Sequence, residues 1–271
     1  MNERPIGVFE SGQGGLTAVK ELIQLLPSEN IVYFGDTARV PYGAKSRDAV
    51  IKYAKQDIAF LKSLDVKMII AACGTVSAIL PNEDAENIGL PYSGVLLPAA
   101  KRAAELTKTG RICVLGTQAT VKSGAYKEAI TSIKPNLSVL SIACPLFVPL
   151  VENGYTDPNS KIARLAAEEY LKDVIEFAPD VIILGCTHFP LLAPLISSIL
   201  PSGIELINPG LETAHYAKEL LEKHDIKNSS DKAGKYRFFV SDDAEGFVKN
   251  ASLFLGREIS GETEKTTVDF L

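Results

Sequence analysis

Short apolar runs alternate with amphipathic segments along most of the chain. The apolar runs predict strands, and segments in which apolar residues recur every three or four positions predict helices between them. The predicted strands cover residues 5–9, 30–34, 66–71, 91–96, 111–115, 138–142, 180–184 and 205–207. Helices are predicted over 16–26 and 46–64, the second with Ser46 as its N-cap. This alternation predicts an α/β fold with mainly parallel sheets, whose functional loops lie at the carboxyl ends of the strands.

Two pairs of strand-and-loop stretches resemble each other. The stretch MIIAACGTVSAILP begins at Met68, and VIILGCTHFPLLAP begins at Val181, so their cysteines lie 113 residues apart. The stretches IGVFES from Ile6 and ICVLGT from Ile112 form the second pair, 106 residues apart. Two similar offsets that join strand to strand and loop to loop indicate two homologous α/β halves.

The repeat predicts how the chain divides into domains. We expect a first α/β domain over 1–97 plus 209–271, which carries Cys73, and a second over 98–208, which carries Cys186. The two domains should be related by a pseudo-twofold axis, with the active site in the cleft between them.

Composition narrows the class of protein. The chain has 271 residues, 46% of them hydrophobic, which is ample for a buried core. Its 28 basic and 33 acidic residues give a formal charge of −5 without a basic block, so we expect no nucleic-acid partner. No charged-then-apolar leader and no apolar stretch of spanning length is present, so we expect a cytoplasmic protein that does not contact the membrane. Its four cysteines should then be free thiols.

Cys73 and Cys186 are the first candidates for chemistry. Each follows a predicted buried strand at a point where a helix can begin, so backbone N–H groups and the helix dipole can favour a thiolate. A single cysteine in such a place is more often a small buried hydrophobe, but two in matching contexts favour reactivity. His188, two residues after Cys186, could keep that thiol ionised or relay its proton, or it could be a structural histidine. We expect no metal, because neither a Cys-x-x-Cys pair nor a second clustered histidine accompanies Cys186.

Two acidic residues and two loops are further candidates. Glu10 and Glu152 lie in predicted loops where they could act as acids or bases, although a lone loop carboxylate is usually only solvated. The loop 12–15 (GQGG) predicts a tight turn for close backbone approach. The loop 36–43 (DTARVPYG) suits the binding of a carboxylate by backbone N–H groups, and the alternative is an ordinary strand-to-helix connection.

A pair of thiols, one in each half, suits the inversion of a stereocentre. Such a reaction needs a base on one face of a carbon and an acid on the other, and a cleft between two similar domains supplies both. Fixed dipoles would have to hold the small-molecule substrate. Backbone amides and hydroxyl groups that could do so belong to Ser11, Tyr42, Gly43, Thr75, Thr117, Thr120 and Thr187.

The motifs of this chain resemble those of the glutamate racemases, members of the cofactor-independent aspartate/glutamate racemase superfamily. The resemblance rests on IGVF with SGQGGLT17, on YFGDTARVPYG43 with Lys45-Ser46, on LGTQATVKS123 with Tyr126, and on GCTHFPLL192. It implies two α/β domains around a cleft, no cofactor, and interconversion of L- and D-glutamate to supply D-glutamate for peptidoglycan.

The resemblance also implies the roles of individual residues. Cys73 would serve as base or acid on the D-glutamate side, assisted by Glu10, and Cys186 on the L-glutamate side, supported by Glu152 and His188. The positions it places around the substrate are Ser11, Pro41, Tyr42, Gly43, Gly74, Thr75, Thr117, Thr120 and Thr187.

Three positions depart from the motifs usual in that family. Glu10 stands where the family has aspartate, Gly74 follows the first cysteine where the family has asparagine, and Asn208-Pro209-Gly210 replaces an Asp-Ser-Gly-type turn. Loss of a polar contact to a buried substrate costs about 1–3 kcal/mol. We hypothesise that the longer Glu10 partly fills the space vacated at Gly74, so that Gly74→Asn should lower activity.

Other functions remain open from the sequence. Gly74 leaves open a two-thiol racemase for aspartate or another amino acid, and a non-catalytic paralogue that binds an amino acid is a further alternative. A pyridoxal-phosphate racemase is disfavoured, because no lysine occupies a comparably marked loop. A homodimer is expected only because homodimers are the commonest oligomers of soluble proteins.

Overall fold

The computed structural model describes residues 2–259 and 263–268, and within them the chain forms two parallel sheets. The strands are β1 (Ile6–Glu10), β2 (Ile31–Gly35), β3 (Met68–Ala71), β4 (Tyr92–Gly94), β5 (Arg111–Gly116), β6 (Ser138–Ala143), β7 (Val181–Leu184), β8 (Glu205–Ile207), β9 (Tyr236–Val240) and β10 (Thr263–Lys265). The first sheet has the order β10-β9-β2-β1-β3-β4, and the second has the order β6-β5-β7-β8. Strands β1, β2, β3 and β7 are buried along their whole length, as is usual when helices cover both faces of a sheet.

Helices connect the strands, as the alternating pattern predicts. They are α1 (Leu16–Leu25), α2 (Arg47–Ser63), α3 (Gly74–Ile79), α4 (Asn82–Glu86), α5 (Leu96–Leu106), α6 (Gln118–Ser123), α7 (Ala125–Ile133), α8 (Phe147–Glu152), α9 (Lys161–Phe177), α10 (Ala193–Ile199), α11 (Pro209–Lys223) and α12 (Ala244–Leu255). Short 3-10 helices cover Thr37–Arg39, Tyr42–Ala44 and Phe189–Leu192. The Ser46 hydroxyl caps α2 by accepting a hydrogen bond from the Ala49 amide.

The two sheets share one strand order. The series β2-β1-β3-β4 in the first sheet corresponds to β6-β5-β7-β8 in the second, and each pair of neighbours is parallel. The repeated stretches identified in the sequence therefore occupy equivalent strands, β1 with β5 and β3 with β7. One apolar cluster includes residues of both sheets, such as Val8, Leu115 and Leu184, so the two halves pack on a common core.

The fold class and the eight predicted strands are confirmed, with two differences in detail. The strand predicted over 91–96 ends at Gly94, because Leu96 already begins α5. The apolar run continues from strand into helix there, so hydrophobicity does not mark the junction. Strands β9 and β10 were not predicted, and they pair with β2 and with each other at the edge of the first sheet.

Within the described residues, no helix combines the length and the apolar character needed to cross a membrane.

Candidate active site

Cys73 lies where β3 passes into α3. It is the N-cap residue of α3, 4% exposed, and its Sγ is 3.8 Å from the Ser11 hydroxyl. Burial, followed by the negative charge of Glu10, raises the pKa of the Cys73 thiol far above its usual range, although a backbone N–H and the Ser11 hydroxyl oppose the shift. Cys73 is therefore a protonated thiol at neutral pH, which is the form that can donate a proton.

Glu10 is not a loop residue but the last residue of β1, and it is 2% exposed. Its carboxylate accepts hydrogen bonds from the Ser11 hydroxyl at 2.8 Å and from the Gly12 amide at 2.7 Å. The buried Tyr33 hydroxyl donates to the Gly12 carbonyl at 2.9 Å. Glu10 thus orients the hydroxyl that contacts Cys73, and it places a negative charge beside that thiol.

Cys186 follows β7 and lies beside a histidine and a carboxylate. Its Sγ is 3.8 Å from His188 Nδ1, and His188 Nε2 is 3.1 Å from Glu152 Oε1. Burial lowers the pKa of His188, but the hydrogen bonds to Cys186 and Glu152 outweigh it and raise the pKa to about 10. At neutral pH the ring is an imidazolium, which places a positive charge 3.8 Å from the Cys186 sulfur.

The surroundings of Cys186 differ from the prediction in two ways. A turn and the 3-10 helix Phe189–Leu192 follow Cys186, so it does not begin an α-helix as Cys73 does. Glu152 is the last residue of α8 rather than a loop residue, and its side chain is 40% exposed. The positive group beside Cys186 is therefore His188 and not the N-terminus of an α-helix.

Hydroxyl groups of the two halves contact each other. Thr75 Oγ1, from the first half, lies 3.1 Å from Thr117 Oγ1 of the second, which lies 3.0 Å from Thr120 Oγ1. The Thr17 hydroxyl donates to the Thr187 carbonyl at 2.9 Å. The predicted polar residues Thr75, Thr117 and Thr120 thus form one cluster. Thr17 was missed, although it lies within the motif that carries the resemblance.

The loop 41–43 contacts this cluster through its backbone. The Gly43 main chain lies so close to Thr117 that a Cβ built at Gly43 would be 3.1 Å from Thr117 Cβ. Pro41 is exposed. Tyr42 is buried, and its hydroxyl bonds to Asp36 and Asp57 inside the first half. The Tyr42 hydroxyl is thus engaged inside the first half, so the prediction that Tyr42 binds substrate depends on its backbone.

Two glycines of the first half allow close approach to the loop around Cys186. A Cβ built at Gly14 would lie 2.4 Å from the His188 ring, and one built at Gly74 would lie 2.4 Å from the Gly185 carbonyl oxygen. Real Cβ atoms essentially never approach within 3.0 Å. The hypothesis that Glu10 fills the space beside Gly74 is wrong, because the three atoms nearest to a Cβ built at Gly74 belong to Gly185 and Cys186. The expected loss of activity in Gly74→Asn therefore needs a different reason.

The remaining cysteines and histidines differ in burial. Cys113 and Cys144 are buried in the core, and His215 and His224 are exposed. Across residues 2–259 and 263–268, no group of three or more His, Cys, Asp or Glu side chains is arranged to hold a metal ion.

Two parallel sheets that share the order of four strands, with a buried cysteine after the third strand of each series, form the fold of an α/β amino-acid racemase. The chain belongs to the Asp/Glu/Hydantoin racemase family, whose model matches residues 11–217. Within that family it is similar to the glutamate racemase of Geobacter metallireducens, with 41% identity over 94% of each chain. It is 45% identical to the glutamate racemase of Chlorobaculum tepidum, over 95% of this chain and 94% of that one. The crystal structure of glutamate racemase from Francisella tularensis in complex with D-glutamate matches with a TM-score of 0.91, 38% identity and 99% coverage of both chains.

Proposed function

We propose that this protein is a glutamate racemase, which interconverts L- and D-glutamate by two-base proton transfer at Cα without a cofactor. The observation that carries the proposal is the matched pair of buried thiols at β3 and β7, each with its own polar partners. Cys73 lies beside Ser11 and Glu10, and Cys186 lies beside His188. The near full-length similarity to glutamate racemases supports the choice of substrate.

The surroundings of the two thiols suit one direction of the reaction. From L-glutamate, the Cys186 thiolate takes the α-proton, so an S–H bond forms as the Cα–H bond breaks. The electron pair left on Cα delocalises into the substrate carboxylate. Cys73 then gives its proton to the opposite face of Cα, which leaves a thiolate at Cys73 and D-glutamate as product. The reverse reaction starts from this second state, and no group is oxidised or reduced.

His188 and Glu10 differ in what they do for the two thiols. The His188 imidazolium, held by Glu152, stabilises negative charge on Cys186. Glu10 raises the pKa of Cys73 and so favours its protonated form. Opposite electrostatic surroundings thus prepare one thiol as the base and the other as the acid.

The charge that develops on the substrate carboxylate needs fixed donors around it. We assign this task, and the binding of the α-amino and side-chain groups, to the positions that border the cleft. They are Ser11, Pro41, Tyr42 through its backbone, Gly43, Gly74, Thr75, Thr117, Thr120 and Thr187. The Thr75–Thr117–Thr120 cluster supports this assignment, because it joins the two halves at a point two residues from Cys73.

The proposal extends to organisation and role. The division into 1–97 plus 209–271 and 98–208 is supported by the sheets, since β9 and β10 return to the sheet of β1 to β4. We propose that the protein works in the cytoplasm as a homodimer and supplies D-glutamate for peptidoglycan. Size-exclusion chromatography with light scattering tests the dimer, and a single-chain mass of about 29 kDa at assay concentration would contradict it.

Proton NMR in D2O tests the reaction directly. The loss of the α-proton signal is followed from L- and D-glutamate and from L- and D-aspartate, with no cofactor added. Exchange of both glutamate enantiomers supports the proposal, whereas exchange of aspartate alone reassigns the substrate. Binding of glutamate without exchange, by folded protein with reduced thiols, would favour a non-catalytic paralogue. The double variant Cys73→Ala/Cys186→Ala serves as the control for background exchange, because each single variant keeps one thiol that can still exchange the α-proton of one enantiomer.

A further inference from the structure

A cluster of buried charged groups lies behind the loop 41–43 and has no part in proton transfer. Asp36 and Asp57 are fully buried, and Arg39 reaches both, with Nε 2.6 Å from Asp36 Oδ2 and a terminal nitrogen 3.1 Å from Asp57 Oδ1. Arg39 also donates to Gln56. One positive charge thus serves two buried carboxyl groups, and a buried charge without a partner is costly. The arrangement favours one protonated carboxyl group.

The contacts of the Tyr42 hydroxyl indicate which carboxyl group carries that proton. It hydrogen-bonds with Asp36 Oδ2, and its oxygen is also 3.1 Å from Asp57 Oδ2. A phenol has one hydrogen, so it fully donates to only one of the two carboxyl groups, and the second contact is satisfied when the other carboxyl group donates to the phenol oxygen. Asp36 already accepts from Arg39 and, at 2.8 Å, from the Ser241 hydroxyl, so donors already occupy both of its oxygens. Asp57 is therefore the group left to donate.

The electrostatic surroundings of Asp57 also favour its protonated form. Burial, followed by the negative charge of Asp36, raises the pKa of Asp57 well above its ordinary value, although the Arg39 charge and the hydrogen bond with Tyr42 oppose the shift. Glu10 adds a further negative charge that acts in the same direction as Asp36.

The cluster connects to the candidate active site through one peptide unit. Tyr42 begins the 3-10 helix Tyr42–Ala44, and the next residue, Gly43, contacts Thr117. Thr117 in turn lies within hydrogen-bond distance of Thr75 and Thr120. A shift of the Tyr42 side chain therefore moves the Gly43 backbone against the hydroxyl cluster.

We infer that Asp57 is a positioning residue, whose carboxylic acid hydrogen bonds to the Tyr42 hydroxyl and thereby holds Gly43 against Thr117 at the edge of the substrate site. Asp57 itself contacts Arg39 and Tyr42 and acts through them. The inference rests on the proposed function in that the loop it positions binds glutamate.

Kinetics of Asp57 variants test the positioning. Asp57→Asn keeps a neutral donor for Tyr42 and an acceptor for Arg39, so we expect kcat and KM within about twofold of the unchanged protein. Asp57→Ala removes both the donor and the acceptor. KM for glutamate should then rise about tenfold, which is the effect of one lost hydrogen bond, while kcat should change less. Tyr42→Phe should raise KM similarly, and the exposed Asp48→Asn on the same helix is the matched control. An Asp57→Asn variant as impaired as Asp57→Ala would overturn the inference, as would an Asp57→Ala variant with unchanged KM.

Infrared spectroscopy tests the proton independently of activity. The carbonyl stretching band of a protonated carboxylic acid should appear at neutral pH in D2O, disappear in Asp57→Asn, and persist in Asp48→Asn. A spectrum in which Asp57→Asn removes no such band would overturn the inference even if the enzyme is active. If the protein fails to racemise glutamate yet loses the band in Asp57→Asn, the proposed function fails while the proton assignment stands.

Discussion

Replacement of Gly74 by asparagine places the residue usual in the family at a position where this chain has no space. A Cβ at position 74 would lie 2.4 Å from the Gly185 carbonyl oxygen and 3.6 Å from Cys186 Cα. Gly185 cannot easily yield, because its amide donates to the Leu115 carbonyl at 2.7 Å and so ties it to β5. We therefore expect Gly74→Asn to move the two halves of the protein apart and to lower activity.

The size of the effect follows from the contact distance. The Cβ must withdraw from 2.4 Å to at least 3.0 Å, a displacement of about 0.6 Å between backbone segments that carry Cys73 and Cys186. A misplacement of about 1 Å can cost about a hundredfold in rate when groups must meet in a reactive geometry, so about 0.6 Å should cost about tenfold or more in kcat/KM.

The assay compares two substitutions at this position. We would measure kcat and KM for both enantiomers with Gly74→Asn and Gly74→Ala, together with the denaturant midpoint of each to confirm folding. Both variants add the same Cβ, so both should lose activity to a similar extent. An increase in activity for Gly74→Asn would refute the reasoning. A harmless Gly74→Ala beside a harmful Gly74→Asn would also refute it, because the amide rather than the Cβ would then be the cause.

Three further predictions concern the thiols, the imidazolium and a buried ion pair. Cys73→Ala or Cys186→Ala should abolish racemisation in both directions, because each direction needs one thiol to take the proton and the other to return it; near-normal turnover in either variant would contradict the mechanism. The raised pKa of His188, about 10 against 6.5, makes its contribution to stability complete below about pH 6.5 and lost as the pH rises through about 10. The free energy of unfolding of the unchanged protein should therefore fall toward that of His188→Asn between about pH 6.5 and 10. A difference between the two proteins that stays constant with pH in urea titrations would contradict the assignment of an imidazolium. Lys67, fully buried, pairs with the buried Glu29 at 2.5 Å, so Lys67→Met should lower the free energy of unfolding by about 3–5 kcal/mol, and a loss under about 1 kcal/mol in urea would contradict this.

The sequence predicts a large part of the candidate site because the relevant residues follow strands. In a parallel sheet the carboxyl ends of neighbouring strands share one edge, so a cysteine after β3 and a carboxylate at the end of β1 must come close. Glu10 and Cys73 could be placed together on this basis, as could Thr117 and Cys186 in the second sheet. The edge strands β9 and β10 could not be placed in this way, because β9 pairs with β2, which is distant along the chain, and β10 pairs with β9.

Local pattern alone thus determined the α/β class, the duplicated halves and the positions of the two thiols, since periodicity and strand ends are properties of neighbouring residues. Tertiary structure decided the rest. It turned the Tyr42 hydroxyl inward to Asp57, brought Glu152 to His188 across 36 residues, and placed the Gly185 carbonyl against Gly74. These distances depend on how whole helices and sheets pack against each other. A displacement of well under 1 Å between the halves changes them, and no local pattern specifies a displacement of that size.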